Sequence, residues 1–306
     1  MSHIQGTPEW VPTRDGRRLH AMVLPGPGPT AAPVPGPGAP AGPGSAGVPG
    51  RTPTVVFEAG AAVGRSSWAL VQPAVGAFAR AIVYDRAGLG RSPADPASRT
   101  LHRMAGDLGD LLDHFGAGPY VLAGHSAGGP IVRLAAAARP ERVAGLVLVD
   151  PADEAADVLF SPAFRRVERV AVRVNLLLAH LGLLGFAYRS TMLALPADAR
   201  RDMRHEAFTA AAMRTHRAQV RTFLDELAAW RLSPPHLGDL PVTVVSGGRA
   251  GNGMPAATRA AANAAHAHRA SRSPAGRHVI APRSGHYVPL TDPEVIVHEI
   301  RRLLRP

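Results

Sequence analysis

The stretch Tyr120-Val121-Leu122-Ala123-Gly124-His125-Ser126-Ala127-Gly128 decides how this chain is read. Its first four residues are a short apolar run with the character of a buried strand, and Ala127 to Ala138 has the spacing of a helix. Between them, Gly124 to Gly128 fits G-x-S-x-G, a serine carried on a sharp strand-to-helix turn. Such a turn needs small residues two positions to either side, because its backbone is strained and flanking side chains would clash. The amides that open the helix then face the space above Ser126 and can stabilise an anion. A phosphate-binding loop would instead require G-x-G-x-x-G or a Walker lysine, and the chain contains no lysine.

Outward from this turn, short apolar runs alternate with longer helical patterns, the signature of a mainly parallel sheet covered by helices. Strands are expected at Thr54 to Glu58, Ala81 to Asp85, Tyr120 to Ala123, Gly145 to Asp150, Val242 to Ser246 and His278 to Ala281, with Arg17 to Leu24 as an edge strand. Helices are expected at Ser66 to Arg80, Leu101 to Phe115, Ala127 to Ala138, Pro255 to Arg269 and Pro293 to Leu304. Pro25 to Pro53 is a Pro/Gly/Ala mixture without the side chains to build a core, and is expected to be a disordered surface loop. The alternation lapses between Asp150 and Val242, too long a gap for an ordinary connection. The expected organisation is a core of residues 1–150 and 236–306 with a helical cap at 151–235. Within the cap, Val174 to Tyr188 is the most apolar part of the chain, yet Arg173 and Arg189 bracket it at a length short of the roughly 20 residues of a membrane span. It is read as a buried or pocket-lining helix, with membrane-surface contact the disfavoured alternative.

Composition narrows the chemistry further. With no cysteine among 306 residues, disulfides, thiolate metal sites and a cysteine nucleophile are excluded. The formal charge of +11 comes from arginines that are scattered rather than clustered, and aromatic residues are only 5%, so nucleic acid is not expected as a partner. No metal-ligand spacing and no dinucleotide fingerprint is present, so neither metal nor cofactor is expected. The start of the sequence lacks a basic-then-apolar leader, and no run of 18 apolar residues occurs, so a soluble, cytoplasmic protein is the expectation.

A serine hydroxyl becomes a useful nucleophile only when a base takes its proton. The candidate base is His286, in Ser284-Gly285-His286-Tyr287 between the last expected strand and the terminal helix. Together with Glu58-Ala59-Gly60-Ala61, with Tyr84-Asp85-Arg86-Ala87-Gly88-Leu89-Gly90-Arg91-Ser92 and with the turn at Ser126, this segment makes the chain resemble the α/β-hydrolase superfamily from Arg17 to Leu304, apart from the Pro/Gly insertion. The resemblance implies an α/β fold with an eight-stranded, mostly parallel sheet and a helical cap inserted after the sixth strand. It also implies an oxyanion hole from the backbone N–H groups of Ala61 and Ala127. Glu58 stands where many relatives carry histidine, and the Asp85 to Ser92 segment is taken as a structural brace.

The third member of a triad departs from the common pattern. Its usual place follows the seventh strand, but no Asp or Glu occurs from Leu240 through Thr291. Asp150, at the end of the sixth strand, is the favoured acid, with Asp153 and Glu154 as alternatives, Asp157 close behind, and Asn252 as a weaker orienting group. The function expected is a cofactor-independent serine hydrolase acting on a small, apolar carboxylic ester or related acyl substrate. The alternatives are an interfacial lipase or acyltransferase using the same residues, or a non-catalytic ligand-binding protein of this fold.

Overall fold

The computed structural model describes residues 3–27, 52–251 and 254–305. Most of the Pro/Gly-rich segment expected as a loop, and Asn252, lie outside the described residues. One eight-stranded sheet organises the chain, with strands β1 (Thr7–Pro12), β2 (Arg18–Leu24), β3 (Thr54–Glu58), β4 (Ala81–Tyr84), β5 (Tyr120–His125), β6 (Val143–Val149), β7 (Val242–Gly247) and β8 (Arg277–Ala281). Their spatial order is β1-β2-β4-β3-β5-β6-β7-β8. The pairs β1–β2 and β2–β4 are antiparallel and all others parallel.

The central strands are uninterrupted runs such as Val55-Val56-Phe57 and Leu146-Val147-Leu148-Val149, buried on both faces as parallel strands between helix layers must be. Helices α2 (Leu101–Phe115) and α3 (Gly128–Ala138) pack on one face, burying Leu108, Leu111, Leu112, Ile131 and Val132 against Val56, Leu122 and Leu146. The other face is covered by α1 (Gln72–Gly76) and the terminal helix (Pro293–Leu303), which bring Val75, Ile296 and Ile300 onto Val55, Val121 and Val147. At ~25 cal/mol per Å² of apolar surface removed from water, these layers are the main stabilising term.

Two expectations about this core need correction. Arg18–Leu24 is not an edge: β1, which sequence reading did not expect, pairs outside it, and its Pro8 and Pro12 sit where an edge tolerates the missing donor. The helix expected over Ser66 to Arg80 is instead a single tight turn at Arg65–Trp68 followed by the five-residue α1, which begins where Pro73 suits a first helical turn.

Between β6 and β7 the described regular elements are helical: α4 (Pro162–His180), α5 (Leu184–Ala187), α6 (Ala197–Glu206), α7 (Ala210–Gln219) and α8 (Phe223–Ala229), together with tight turns at Asp157–Phe160 and Arg189–Met192. The expectation that the stretch Val174 to Tyr188 is buried or pocket-lining holds only in part: Asn175, Leu184 and Tyr188 line a cavity, but much of the rest faces solvent. Val172 is the one buried residue of α4, while Leu177, Leu181, Leu183 and Phe186 are exposed. The helix is apolar on more than one side, and only the side with Leu176, Leu178 and Ala179 meets Leu184 and Met213. Beyond β7 the chain continues through α9 (Ala256–Ser271), β8, α10 (Val288–Thr291) and α11 (Pro293–Leu303). No helix of the described residues is long and apolar enough to cross a membrane.

Candidate active site

Ser126 follows β5 directly and has φ +53, a conformation costly for a residue with a Cβ. The two flanking glycines make that turn sterically feasible. A Cβ on Gly124 would lie 2.6 Å from the Gly128 carbonyl oxygen, and one on Gly128 would lie 2.7 Å from the carbonyl oxygens of Glu58 and Ala59. The turn is fixed by the Ser126 N–H donating to Val149 (3.0 Å) and by the Ser126 carbonyl accepting from Gly129 (3.0 Å) and Ala152 (3.1 Å). The only other described non-glycine residues with positive φ are Ala62 and Asp150. All three stand just beyond the carboxyl ends of neighbouring parallel strands, β3, β5 and β6, where strained backbone gathers around one point.

The structure brings Ser126, His286 and Asp150 together. The Ser126 hydroxyl donates to His286 Nε2 at 3.0 Å, and His286 Nδ1 donates to Asp150 Oδ2 at 2.6 Å. Asp150 also accepts from the Gly247 amide (3.0 Å) and from both terminal nitrogens of Arg259. Burial alone would raise the Asp150 pKa, but the hydrogen bond and charge of His286, together with Arg259, hold it below the usual carboxylate range. The alternatives Asp153 and Glu154 are elsewhere: Arg133 and Arg269 bind both in a buried ion-pair cluster. Asp157 pairs with Arg231 at the surface.

Sequence reading missed two groups here. Arg259 is the first, an arginine on α9 whose spacing carried no signal until the fold put it against Asp150. The second is His125, whose Nε2–H donates to the His286 carbonyl at 2.9 Å and whose Nδ1 is buried without a partner among the described residues. Burial and the neighbouring His286 push its pKa down to about 3, so it is a neutral prop for the histidine loop. Gly247 completes that support, since a Cβ there would fall 2.0 Å from the Gly285 carbonyl oxygen.

On the opposite side, Arg86 donates to the carbonyls of Ala59 (2.6 Å) and Gly60 (2.5 Å) and pairs with the buried Glu58, which Tyr84 also contacts. The loop carrying Ala61 is thereby pinned beneath Ser126. Among the described residues, neither the Ala61 nor the Ala127 amide donates to a protein acceptor, and both residues line a cavity with Ser126.

Two cavities meet at this point. One, of about 240 Å³, is lined by Val63, Leu184, Met192, Met203, Phe208 and Leu290. The other, of about 600 Å³, is lined by Leu159, Phe164, Glu168, Gln219, Phe223 and Met254. Ala61, Ser126, His216 and His286 border both. His216, from α7, has its Nδ1 buried and unpartnered among the described residues, and burial with the Arg86 charge lowers its pKa to about 4.

The family model described as "Alpha/beta hydrolase family" matches residues 55–299. The chain belongs to the α/β-hydrolase family. Among curated relatives, Lipase LipV of Mycobacterium tuberculosis is 50% identical over 68 residues, which are 22% of this chain and 26% of LipV. The alignments with the curated relatives it matches span about a quarter to a half of their length. Among solved structures, this α/β-hydrolase resembles a thermophilic esterase from Thermogutta terrifontis, with a TM-score of 0.66 and 21% identity over 98% of each chain. It also resembles the epoxide hydrolase CorEH, with a TM-score of 0.68 and 15% identity over 97% of this chain and 98% of that one. Likeness at such identities establishes the fold that this α/β-hydrolase shares with both.

Proposed function

We propose that this chain is a cofactor-independent serine hydrolase of carboxylic esters. The observation that carries the reading is the continuous hydrogen-bond chain from Ser126 through His286 to Asp150. In this mechanism His286 takes the Ser126 proton as the hydroxyl oxygen attacks the ester carbonyl, and Asp150 stabilises the imidazolium that forms. The free amides of Ala61 and Ala127 receive the oxyanion. His286 then protonates the departing alcohol, and a water activated by the same imidazole releases the acid from Ser126. A serine at the turn agrees with esterase chemistry, and LipV, a lipase by name, is the kind of relative this reading anticipates.

The lining of the two cavities suggests how an ester would lie. The smaller, with its Met, Phe and Leu side chains, suits an apolar acyl group, and the larger, which contains Glu168 and Gln219, suits the alcohol. The test is covalent labelling with a fluorophosphonate, alongside turnover of p-nitrophenyl esters of increasing acyl length. The wild-type chain is expected to label and turn over, while Ser126→Ala does neither and keeps its melting temperature. Retention of most esterase activity by Ser126→Ala would remove the nucleophile from Ser126.

A further inference from the structure

Of the twelve large apolar side chains exposed on the described chain, eight fall between Val167 and Leu193. Along α4 and its C-cap they form one line, Val167, Val170, Val174, Leu177 and Leu181, at heptad spacing, and the chain continues through exposed Leu183, Phe186 and Leu193. Several are as open as Phe186 at 67% and Leu193 at 68%, more than scattered surface residues would explain. The polar residues on the same helix are almost all of one sign: Arg165, Arg166, Arg169 and Arg173 against Glu168 alone. Arg165 pairs with Asp225, while Arg166, Arg169 and Arg173 have no carboxylate partner among the described residues. Arg189 lies over the exposed Phe186 ring at 3.9 Å, an arrangement that lets an apolar ring enter a lipid layer while its guanidinium stays at headgroup level.

We infer that this face, along α4 and on through α5 to Leu193, docks on an anionic lipid surface. A line of heptad spacing would also fit a second copy of the chain, but the flanking charges oppose that. With Val167, Val174 and Leu181 in equivalent positions, the residues just before them are Arg166, Arg173 and His180, and the other flank offers Ala171 and Leu178. No acid is present to meet those cations in either orientation of a helix pair, whereas lipid phosphates meet all of them. The face also borders the catalytic cavities. Val167 and Glu168 line the larger one, and Asn175, Leu184 and Tyr188 line the smaller. On the ester-hydrolase reading, on which this last step rests, an apolar substrate passes from the lipid layer to Ser126 without crossing bulk water.

Sedimentation with vesicles tests the docking without any turnover, so its outcome is independent of the reaction assignment. The full chain is expected to sediment with mixed phosphatidylglycerol–phosphatidylcholine vesicles, and far less with phosphatidylcholine alone. Binding should fall when salt rises from about 0.1 M to about 1 M, as the Debye length shrinks from about 10 Å to about 3 Å. The double variant Leu177→Gln/Leu181→Gln should bind about tenfold less or weaker, because it removes apolar surface from the contact. Arg169→Glu/Arg173→Glu should lose the preference for anionic lipid. Circular-dichroism melts matching wild type show that these exposed changes leave the fold intact, and melts that differ are replaced by the single variant Phe186→Ser. The inference is overturned if the wild-type chain stays in the supernatant with anionic vesicles, or if the leucine variant binds as well as wild type. A wild-type dimer that becomes monomeric in the leucine variant also overturns it, by assigning the face to self-association.

Discussion

At Asp150 three residues converge on one carboxylate: His286, the Gly247 amide and the paired nitrogens of Arg259. On the ester-hydrolase reading, replacing it therefore has two separable effects. Asp150→Asn is expected to lower kcat by up to about 10⁴, because an amide neither fixes the histidine tautomer nor balances the imidazolium. It also strands the Arg259 charge, with a stability loss on the order of 3–5 kcal/mol. Asp153→Asn strands charge in the Arg133–Arg269 cluster and costs stability too, but kcat measured below its melting transition should stay near wild type. Steady-state kinetics paired with thermal melts read the two apart, and an Asp150→Asn enzyme with wild-type kcat would place the acid elsewhere. That Ser126, His286 and Asp150 meet was legible because a strained turn, a histidine after a glycine and a strand-terminal acid each leave a local mark. Arg259 and His216 were not, since nothing in an arginine or histidine on a helix says which face the fold will turn inward.

Beside the apolar packing of Ala199 and Met203 against Ala69, a fully buried guanidinium ties helix α6 to the sheet. Arg65 donates to Asp85 (2.6 Å) on the core side and to Asp202 (2.5 Å) and Glu206 (2.5 Å) on α6, with Arg91 reinforcing Glu206 at 2.9 Å. Asp85, held below the usual carboxylate range against its own burial by His20 and Arg65, is thus a brace, as the segment from Asp85 to Ser92 was read to be. Arg65→Met removes the buried cation shared by Asp85, Asp202 and Glu206 and leaves the half-exposed Arg91 on the α6 side, and a loss of about 3–5 kcal/mol is expected in denaturant titrations. Partial proteolysis should then cut first within the segment between β6 and β7. A variant as stable and protease-resistant as wild type would show that apolar contacts alone hold α6. The boundaries of α2 were readable from sequence because one clear helical period governs it, and those of β3 because turn residues bound a short uninterrupted apolar run. By contrast, α1 lies where an apolar run has no single period, and β1 was hidden by two prolines.

Across the whole molecule, buried neutral histidines set the response to acid. His125 and His216 have pKa values lowered to about 3 and about 4, and burial lowers His266 as well. In the unfolded chain these groups protonate near pH ~6.5. Below that point the unfolded state takes up protons that the folded state refuses, so stability falls as the pH drops from about 6.5 toward 4. Glu58, whose carboxyl burial raises, works in the opposite direction over part of the window, while the lowered carboxylates of Asp85 and Asp150 matter only below about pH 4. Calorimetric melting temperatures should therefore decline through this range, and more shallowly in His216→Asn. A flat profile, or an unchanged slope in the variant, would contradict the burial of these rings. The α/β sheet and the helical insertion were visible in the sequence as an alternation and its lapse. Which side of the inserted helices faces solvent was not, because α4 carries apolar residues on more than one side, interleaved with arginines, and so points no single face inward.

The meeting of the two cavities at Ser126 has a further consequence on the ester-hydrolase reading. An acyl group lodged in the smaller chamber would leave the larger one vacant once the first alcohol departs, with His286 still facing it. The intermediate then stands at a fork, where water and a second alcohol compete for the same vacated room. Leu159, Phe164, Phe223 and Met254 hold water weakly, so the ratio of hydrolysis to exchange is governed by the walls of the larger chamber rather than by the reacting residues themselves.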